Sequence, residues 1–459
     1  MSAASITPEF ERQTYAKVAW KLIPFLFLCY IVAFLDRVNV GFAKLQMQGD
    51  LSFSDKIYGF GAGVFFIGYF IFEVPSNVIL ERIGARVWIA RIMITWGIIS
   101  SAFMFTGDIH WGAIATLFNC TDAEFTFYFL RFMLGVAEAG FFPGIILYLT
   151  YWYPGSRRAR MVALFMTAIA ISNVVGSPVS GAIMQYMDGA AGWRGWQWLF
   201  LLEGIPSVIM GVLVFWLLPN GPQNTRWLSE QEKSLIIARV HEEEAGKQEL
   251  GQRHSFTDAF KDGRVWALAL VYFCGVVCFY AVNFWMPTII QELGVDKKDF
   301  LKVGLLNMIP WGCAAIAMVL WGFHSDKTAE RRWHSAGGLL LAIAGLVLLA
   351  LVGKQPAPSM LALTMVTTGL ACWVATFWSL PTAFLSGTAA AAGIAWINSV
   401  GNLGGHFGPD MIGRIRTATG GASEAAFYAL AVAALIGALI IIFLPGTEPK
   451  KVPAPAPVR

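Results

Sequence analysis

Asp36 and Arg37 stand side by side in Phe34-Leu35-Asp36-Arg37-Val38-Asn39, inside an otherwise apolar run from Leu22 to Phe42. A run of roughly 20 apolar residues is long enough to cross a bilayer. A charge at that depth costs at least ~3 kcal/mol, so it is retained where it faces water or a partner, and there it marks a transport path. Arg stays charged and presents a planar fork of donors that matches a carboxylate. An Asp sheltered from bulk water can exchange a proton. Neighbours on a helix point ~100° apart, so one of the two faces a cavity while the other meets an adjacent helix. The structural alternative is an ion pair joining Asp36 to Arg37 or Arg131.

Further acidic and basic groups lie in apolar runs, among them Arg131, Glu138 and Glu73. Arg131 and Glu138 are seven residues apart, which puts them on one helix face with ~10.5 Å of rise between them. Gly135 leaves room on that face, and Pro143-Gly144 can bend the helix beyond it. Arg131 could instead snorkel to an interface. Tyr69 and Glu73 share a face one turn apart, just before Pro75. Glu73 suits either proton coupling or a hydrogen bond between helices. The second half of the chain offers amides and hydroxyls instead: Asn283, Asn307, Thr376, Ser379, and a stripe at Asn398, Asn402 and His406. These can bind carboxylate or hydroxyl groups of a ligand, or join helices to one another. Trp285, Trp311, Trp373, Trp378 and Trp396 are interface anchors or walls for an aromatic ligand. The six cysteines carry no His or carboxylate at ligand spacing and read as apolar filler.

These residues have to be positioned by a membrane scaffold. Of 459 residues 57% are hydrophobic and 14% charged, with mean hydropathy +0.60. Soluble proteins carry about 25% charged residues, so lipid is part of this chain's solvent. The first apolar run is too long for the core of a cleavable signal and no cleavage site follows it, so it is expected to remain in the mature protein. Apolar runs predict twelve helices, at about 22–42, 57–80, 87–106, 125–152, 160–187, 197–218, 263–291, 301–323, 334–353, 359–384, 388–413 and 425–444. Backbone groups in lipid need internal partners, which makes these helices and not isolated strands.

With the N-terminus inside, inner segments and the middle loop hold 22 of the 33 Lys and Arg residues, and the outer loops hold 9. Both termini are therefore expected in the cytoplasm. The polar stretch 219–262 separates two sets of six helices, giving bundles at 1–218 and 263–459. Inside it, Ser229 and Glu232 are spaced as a capping box that opens a short surface helix. The sets echo each other. Asn77, Glu81, Arg82 and Arg86 follow helix two, and Gly322, Asp326, Lys327 and Arg331 follow helix eight at the same spacing. Basic loops alone do not explain an acid at the matched position. Lys and Arg spread over many loops argue against nucleic acid. Without a nucleophile–base pair, metal cluster or phosphate loop, no enzyme is expected.

The repeated loop pattern, the 6+6 layout and the long middle loop resemble the major facilitator superfamily. More narrowly, Phe34–Leu45, Arg131-Phe-Met-Leu-Gly-Val-Ala-Glu138-Ala-Gly-Phe-Phe-Pro143-Gly and Asn398-Ser-Val-Gly-Asn402-Leu-Gly-Gly resemble its anion:cation symporter family. Asn77, Glu81 and Ala329 depart from the usual loop residues while keeping its charges, and His406 stands where an apolar or small residue is expected. The resemblance implies an all-α membrane protein of twelve transmembrane helices in two pseudo-symmetric bundles. It implies import of a small organic anion, such as an aromatic acid, tartrate or a sugar acid, in symport with protons by alternating access. Arg37, Tyr69, Asn283, Asn398, Asn402 and Ser379 would bind substrate. Asp36 and Glu138 would carry protons, with Arg131 as modulator. Glu81, Arg82, Arg86, Asp326, Lys327 and Arg331 would latch the cytoplasmic side. Protons are the coupling ion, with no cofactor and no metal. The expected setting is a monomer in a bacterial inner membrane. A Gly176-Ser-Pro178 segment in helix five keeps a proton-coupled antiporter or exporter of the same fold as the alternative.

Overall fold

The computed structural model describes residues 7–249, 261–385 and 387–445. Twelve helical spans run in chain order. They are α1 (Pro8–Val38, continued by Val40–Asp50), α2 (Asp55–Ile83), α3 (Ala85–Ala102) and α4 (Asp122–Glu138, then Phe141–Thr150). Next come α5 (Gly155–Met166, then Ala168–Tyr186), α6 (Gly195–Leu217), α7 (Gly263–Glu292) and α8 (Phe300–Thr328). The last four are α9 (Arg332–Val352), α10 (Pro356–Phe377), α11 (Gly387–Asn402, then Gly404–Ala418) and α12 (Glu424–Phe443). Among the described residues, eleven spans are long and apolar enough to cross a membrane. The remaining one, α11, breaks at Leu403 into pieces of 16 and 15 residues, and the second piece carries Asp410, Arg414 and Arg416. Apolar side chains such as Trp216, Leu320 and Phe443 stand exposed on the outer faces, where hydrocarbon replaces water.

The spans depart from the expected apolar runs in two instructive ways. α1 starts fourteen residues early, because Thr7 caps it by accepting from the Phe10 amide and Pro8 sits at its first turn. That polar first stretch is held by ion pairs and not by lipid: Glu11 meets Arg157 and Arg239 at 3.0 Å each, and Lys17 meets Glu232 at 2.9 Å. α4 is interrupted at Ala139-Gly140, ahead of Pro143. Gly140 adopts φ 87°, and a side chain there would strike Ser76. The Ser76 hydroxyl donates to the carbonyl of Ala139 at 2.5 Å, so the interruption leaves that acceptor paired.

The surface helix Glu230–Glu249 starts at the expected box: the Glu232 amide donates to Ser229 Oγ at 3.2 Å and the Ser229 amide to Glu232 Oε2 at 2.7 Å. Partial burial works to raise the Glu232 carboxyl, but the Ser229 amide and the Lys17 ammonium outweigh it and hold the group below the usual range. A lowered pKa stabilises the folded state above the unfolded-state value, and that contribution is lost as pH falls through the lowered one. Glu232→Ala is therefore expected to cost about 1 kcal/mol of local stability at neutral pH. The loss should vanish under acid, and amide hydrogen exchange across residues 230–242 measures it.

Within the first half α1 contacts α5, α2 contacts α4 and α3 contacts α6; within the second, α9 lies between α10 and α12, and α7 against α11. Between halves α5 meets α8, the start of α2 meets the end of α11, and the tail of α1 meets α7. All three contacts lie toward the face opposite the surface helix. There the chains approach backbone to backbone. A Cβ on Gly59 would run into the carbonyl of Pro409, and one on Gly304 into the carbonyl of Ser177. The halves are clamped shut at this opposite face.

Candidate functional site

Between the halves lies a cavity of about 80 Å³ measured to the centre of a water-sized occupant. Eight spans line it, and twelve of its 22 lining residues are aromatic, including Tyr30, Phe65, Tyr69, Tyr280, Trp311 and Trp373. Among these lining residues Arg37 alone carries a charge. Its guanidinium donates to Tyr280 Oη at 2.8 Å and is ion-paired with Glu138. Ring faces surround it: Phe65 lies 5.3 Å, Tyr69 5.7 Å and Phe34 5.9 Å from its central carbon. Glu138 sits behind Arg37 at the very end of the first α4 segment, and its Oε2 accepts no hydrogen bond.

Asp36 points elsewhere. It is buried between α1, α3 and α6, where it accepts hydrogen bonds from Ser100 at 2.7 Å and from Ser207. The ~100° divergence expected for adjacent residues is thus resolved: Arg37 takes the cavity and Asp36 the helix interface. Neither forms an ion pair with the other. Arg131 is fully buried, which removes snorkelling as its role. It donates to the Ala62 carbonyl at 2.8 Å and lies against the Phe65 and Phe284 rings, paired directly with neither Asp36 nor Glu138.

Tyr69, Asn398 and Asn402 line the central cavity. Two other expected ligands do not. Ser379 turns back to donate to the Thr376 carbonyl at 2.6 Å, the habit of a helical hydroxyl with no better acceptor. Asn283 faces a separate, smaller chamber nearer the clamped face. Glu73 joins the halves: Asn398 Nδ2 donates to it at 2.9 Å and Ser399 Oγ at 2.8 Å. Of the five tryptophans considered, Trp311, Trp373 and Trp378 wall the cavity. Trp396 packs edge-on against Trp266, and Trp285 belongs to the clamp.

The expected latch is not assembled in this conformation. Asp326 pairs with Arg331 at 2.5 Å within its own loop, while Glu81, Arg82 and Lys327 are exposed and Arg86 is half-buried. Among the described residues no ion pair joins the two copies of the motif.

A charged cluster that sequence reading missed closes the opposite face. Arg416, only 5% exposed, meets Asp55 at 2.8 Å and Glu292 at 2.6 Å. Lys44, 3% exposed, meets Asp55 at 3.1 Å and lies 4.3 Å from the Trp285 ring. Lys44 and Asp55 come from the first half, Glu292 and Arg416 from the second. Each sits within three residues of the end of an apolar run, a hint that they are interfacial, but no spacing in the chain ties position 44 to 416.

Residues 26–409 match the family model described as Major Facilitator Superfamily. A protein of Agrobacterium vitis described as a putative tartrate transporter is 47% identical over 447 residues, covering 97% of this chain and 94% of its own. The putative metabolite transport protein NicT of Pseudomonas putida is 44% identical, covering 94% of each chain. Among solved structures, a D-xylose-proton symporter aligns with TM-score 0.72 over 94% of this chain and 99% of its own. At 16% identity that likeness concerns the fold.

Proposed function

The chain belongs to the Major Facilitator Superfamily, and from that premise we propose that it carries a small organic carboxylate across the membrane together with protons. It is an integral membrane transporter by family; the substrate and the coupling are our reading. One observation carries it: a single guanidinium, half-sequestered by Glu138, in a ring-lined cavity between two bundles. Names of relatives that mention tartrate support an anion as cargo.

The proposed cycle uses the Arg37–Glu138 pair as its switch. While Glu138 is ionised it competes for the guanidinium. When it takes a proton, Arg37 is released to bind the carboxylate of the substrate through a charge-assisted fork. In this reading Tyr69, Asn398 and Asn402, which line the cavity, bind its remaining polar groups. Anion and proton then move together because each favours the state that accepts the other. With the basic, surface-helix side assigned to the cytoplasm of a bacterial inner membrane, the clamped face is external. The structure is then the outward-closed member of an alternating-access pair, pinched on the cytoplasmic side of Arg37 at Glu73. In this reading the loop motifs come together when that side closes.

Reconstitution in proteoliposomes tests the coupling. Glu138→Gln cannot take up a proton, so it is expected to lose accumulation driven by a proton gradient while keeping substrate counterflow. Full-rate accumulation by wild type without a proton gradient would sink the symport reading.

A further inference from the structure

The second chamber, between α1, α5, α7 and α8, has no part in the cycle above. It holds about 10 Å³ measured to the centre of an occupant, room for one water-sized particle. Asn39, Ser177 and Ser180 line it from the first half, Asn283 and Asn307 from the second. Its amides are oriented by the bonds they already make. Asn283 Nδ2 donates to the Phe279 carbonyl at 3.2 Å and Asn307 Nδ2 to Ser177 Oγ at 2.7 Å, so both must present oxygen elsewhere. Asn283 Oδ1 and Asn307 Oδ1 accept no hydrogen bond, and neither Oδ1 nor Nδ2 of Asn39 has a hydrogen-bond partner, although all three residues are at most 5% exposed.

Behind this lining stands Glu203, 5% exposed, with Ser180 Oγ donating to its Oε1 at 2.6 Å and Asn39 beside it. Its Oε2 is unpartnered, and no Lys, Arg or His among the described residues forms an ion pair with it. Its close charged neighbour is another carboxylate, Asp36. The chamber thus gathers acceptor oxygens around a buried carboxylate that has no cation. Buried acceptors without donors, and a buried charge without a partner, are both costly. The Asn39 amide nitrogen can serve Glu203, but one water has only two protons to donate, fewer than the three orphan amide oxygens, and supplies no charge. A monovalent cation answers both needs, since hard oxygen ligands suit a hard cation.

We propose that the chamber between α1, α5, α7 and α8 is a monovalent-cation site that takes Na⁺, coordinated by the amide oxygens of Asn39, Asn283 and Asn307 and balanced by Glu203. The site is separate from the Arg37–Glu138 switch and does not depend on which anion is carried. Its ligands come from both bundles at the clamped face, so a bound cation tightens that clamp and favours the conformation seen here.

The test is thermal unfolding of the purified full-length protein in NaCl against choline chloride, at equal ionic strength and pH. Na⁺ is expected to raise the midpoint by about 2–4 °C. Glu203→Gln removes the balancing charge without changing shape and is expected to abolish the difference; Asn307→Ala is expected to do the same and serves as the second variant should the first fold poorly. Equal midpoints for wild type in Na⁺ and in choline would overturn the proposal, and are the result expected if Glu203 is simply protonated beside a trapped water.

Discussion

Arg37→Lys is expected to lower carboxylate uptake by ~100-fold or more while leaving the protein folded in the membrane. Losing a hydrogen bond to a charged group costs ~1.5–3 kcal/mol, two such bonds are lost with the fork, and each 1.4 kcal/mol is about a factor of ten. Lysine preserves the charge but not the fork. The guanidinium reaches Tyr280 and Glu138 at once and spreads its charge over the Phe65, Tyr69 and Phe34 rings. A single ammonium cannot hold that set and also accept a carboxylate in two-point fashion. Direct binding of a carboxylate to the purified variant, by calorimetry or thermal shift, separates lost recognition from lost movement. Binding at wild-type affinity would remove Arg37 from the site.

The second large effect concerns Arg416. Replacing it with Gln should open the clamped face. Arg416 holds Asp55 from the first half and Glu292 from the second, is nearly buried, and also donates to Ser423. Its loss leaves two carboxylates with Lys44 as their remaining buried cation, again a change of ~3–5 kcal/mol in the stability of the closed interface. A shift of that size changes the ratio of two states by roughly two to three and a half orders of magnitude. A cysteine placed at Ser177, beside the backbone crossing with Gly304, should be alkylated from the clamped side far faster in Arg416→Gln than in the parent. Unchanged labelling would mean that apolar and backbone contacts hold the face shut without the charges.

Much of this was legible along the chain. Lipid as solvent and twelve helices follow from apolar run lengths, and the capping box at Ser229 forms as its spacing requires. Helix ends were less legible where something other than hydrophobicity sets them. Ion pairs extend α1 well beyond its apolar run, and a single positive φ at Gly140 divides α4. Ser379 and Asn283 show the limit for site residues. A polar side chain in an apolar span signals only that a partner exists, and whether that partner is a ligand or the preceding turn depends on rotation about the helix axis, to which α7 and the short turn after α10 give little periodic clue.

Asp36 and Arg37 sharpen the same division. That Asp36 and Arg37 needed partners was decided by sequence alone, because a charge in hydrocarbon is costly wherever the helix points. Their divergence was also decided there, by 3.6 residues per turn. Which one faced the cavity was not. Only the packing of α1 against α3 and α6 turned Asp36 toward Ser100 and Ser207 and left Arg37 to meet Glu138 and Tyr280 from spans a hundred and more residues away. The same holds for the clamp of Lys44, Asp55, Glu292 and Arg416 and for the oxygen-lined chamber at Asn39, Asn283 and Asn307. Local periodicity carries the helices, because their hydrogen bonds close within four residues. Pairing between helices is set by three-dimensional proximity, for which separation along the chain supplies no rule.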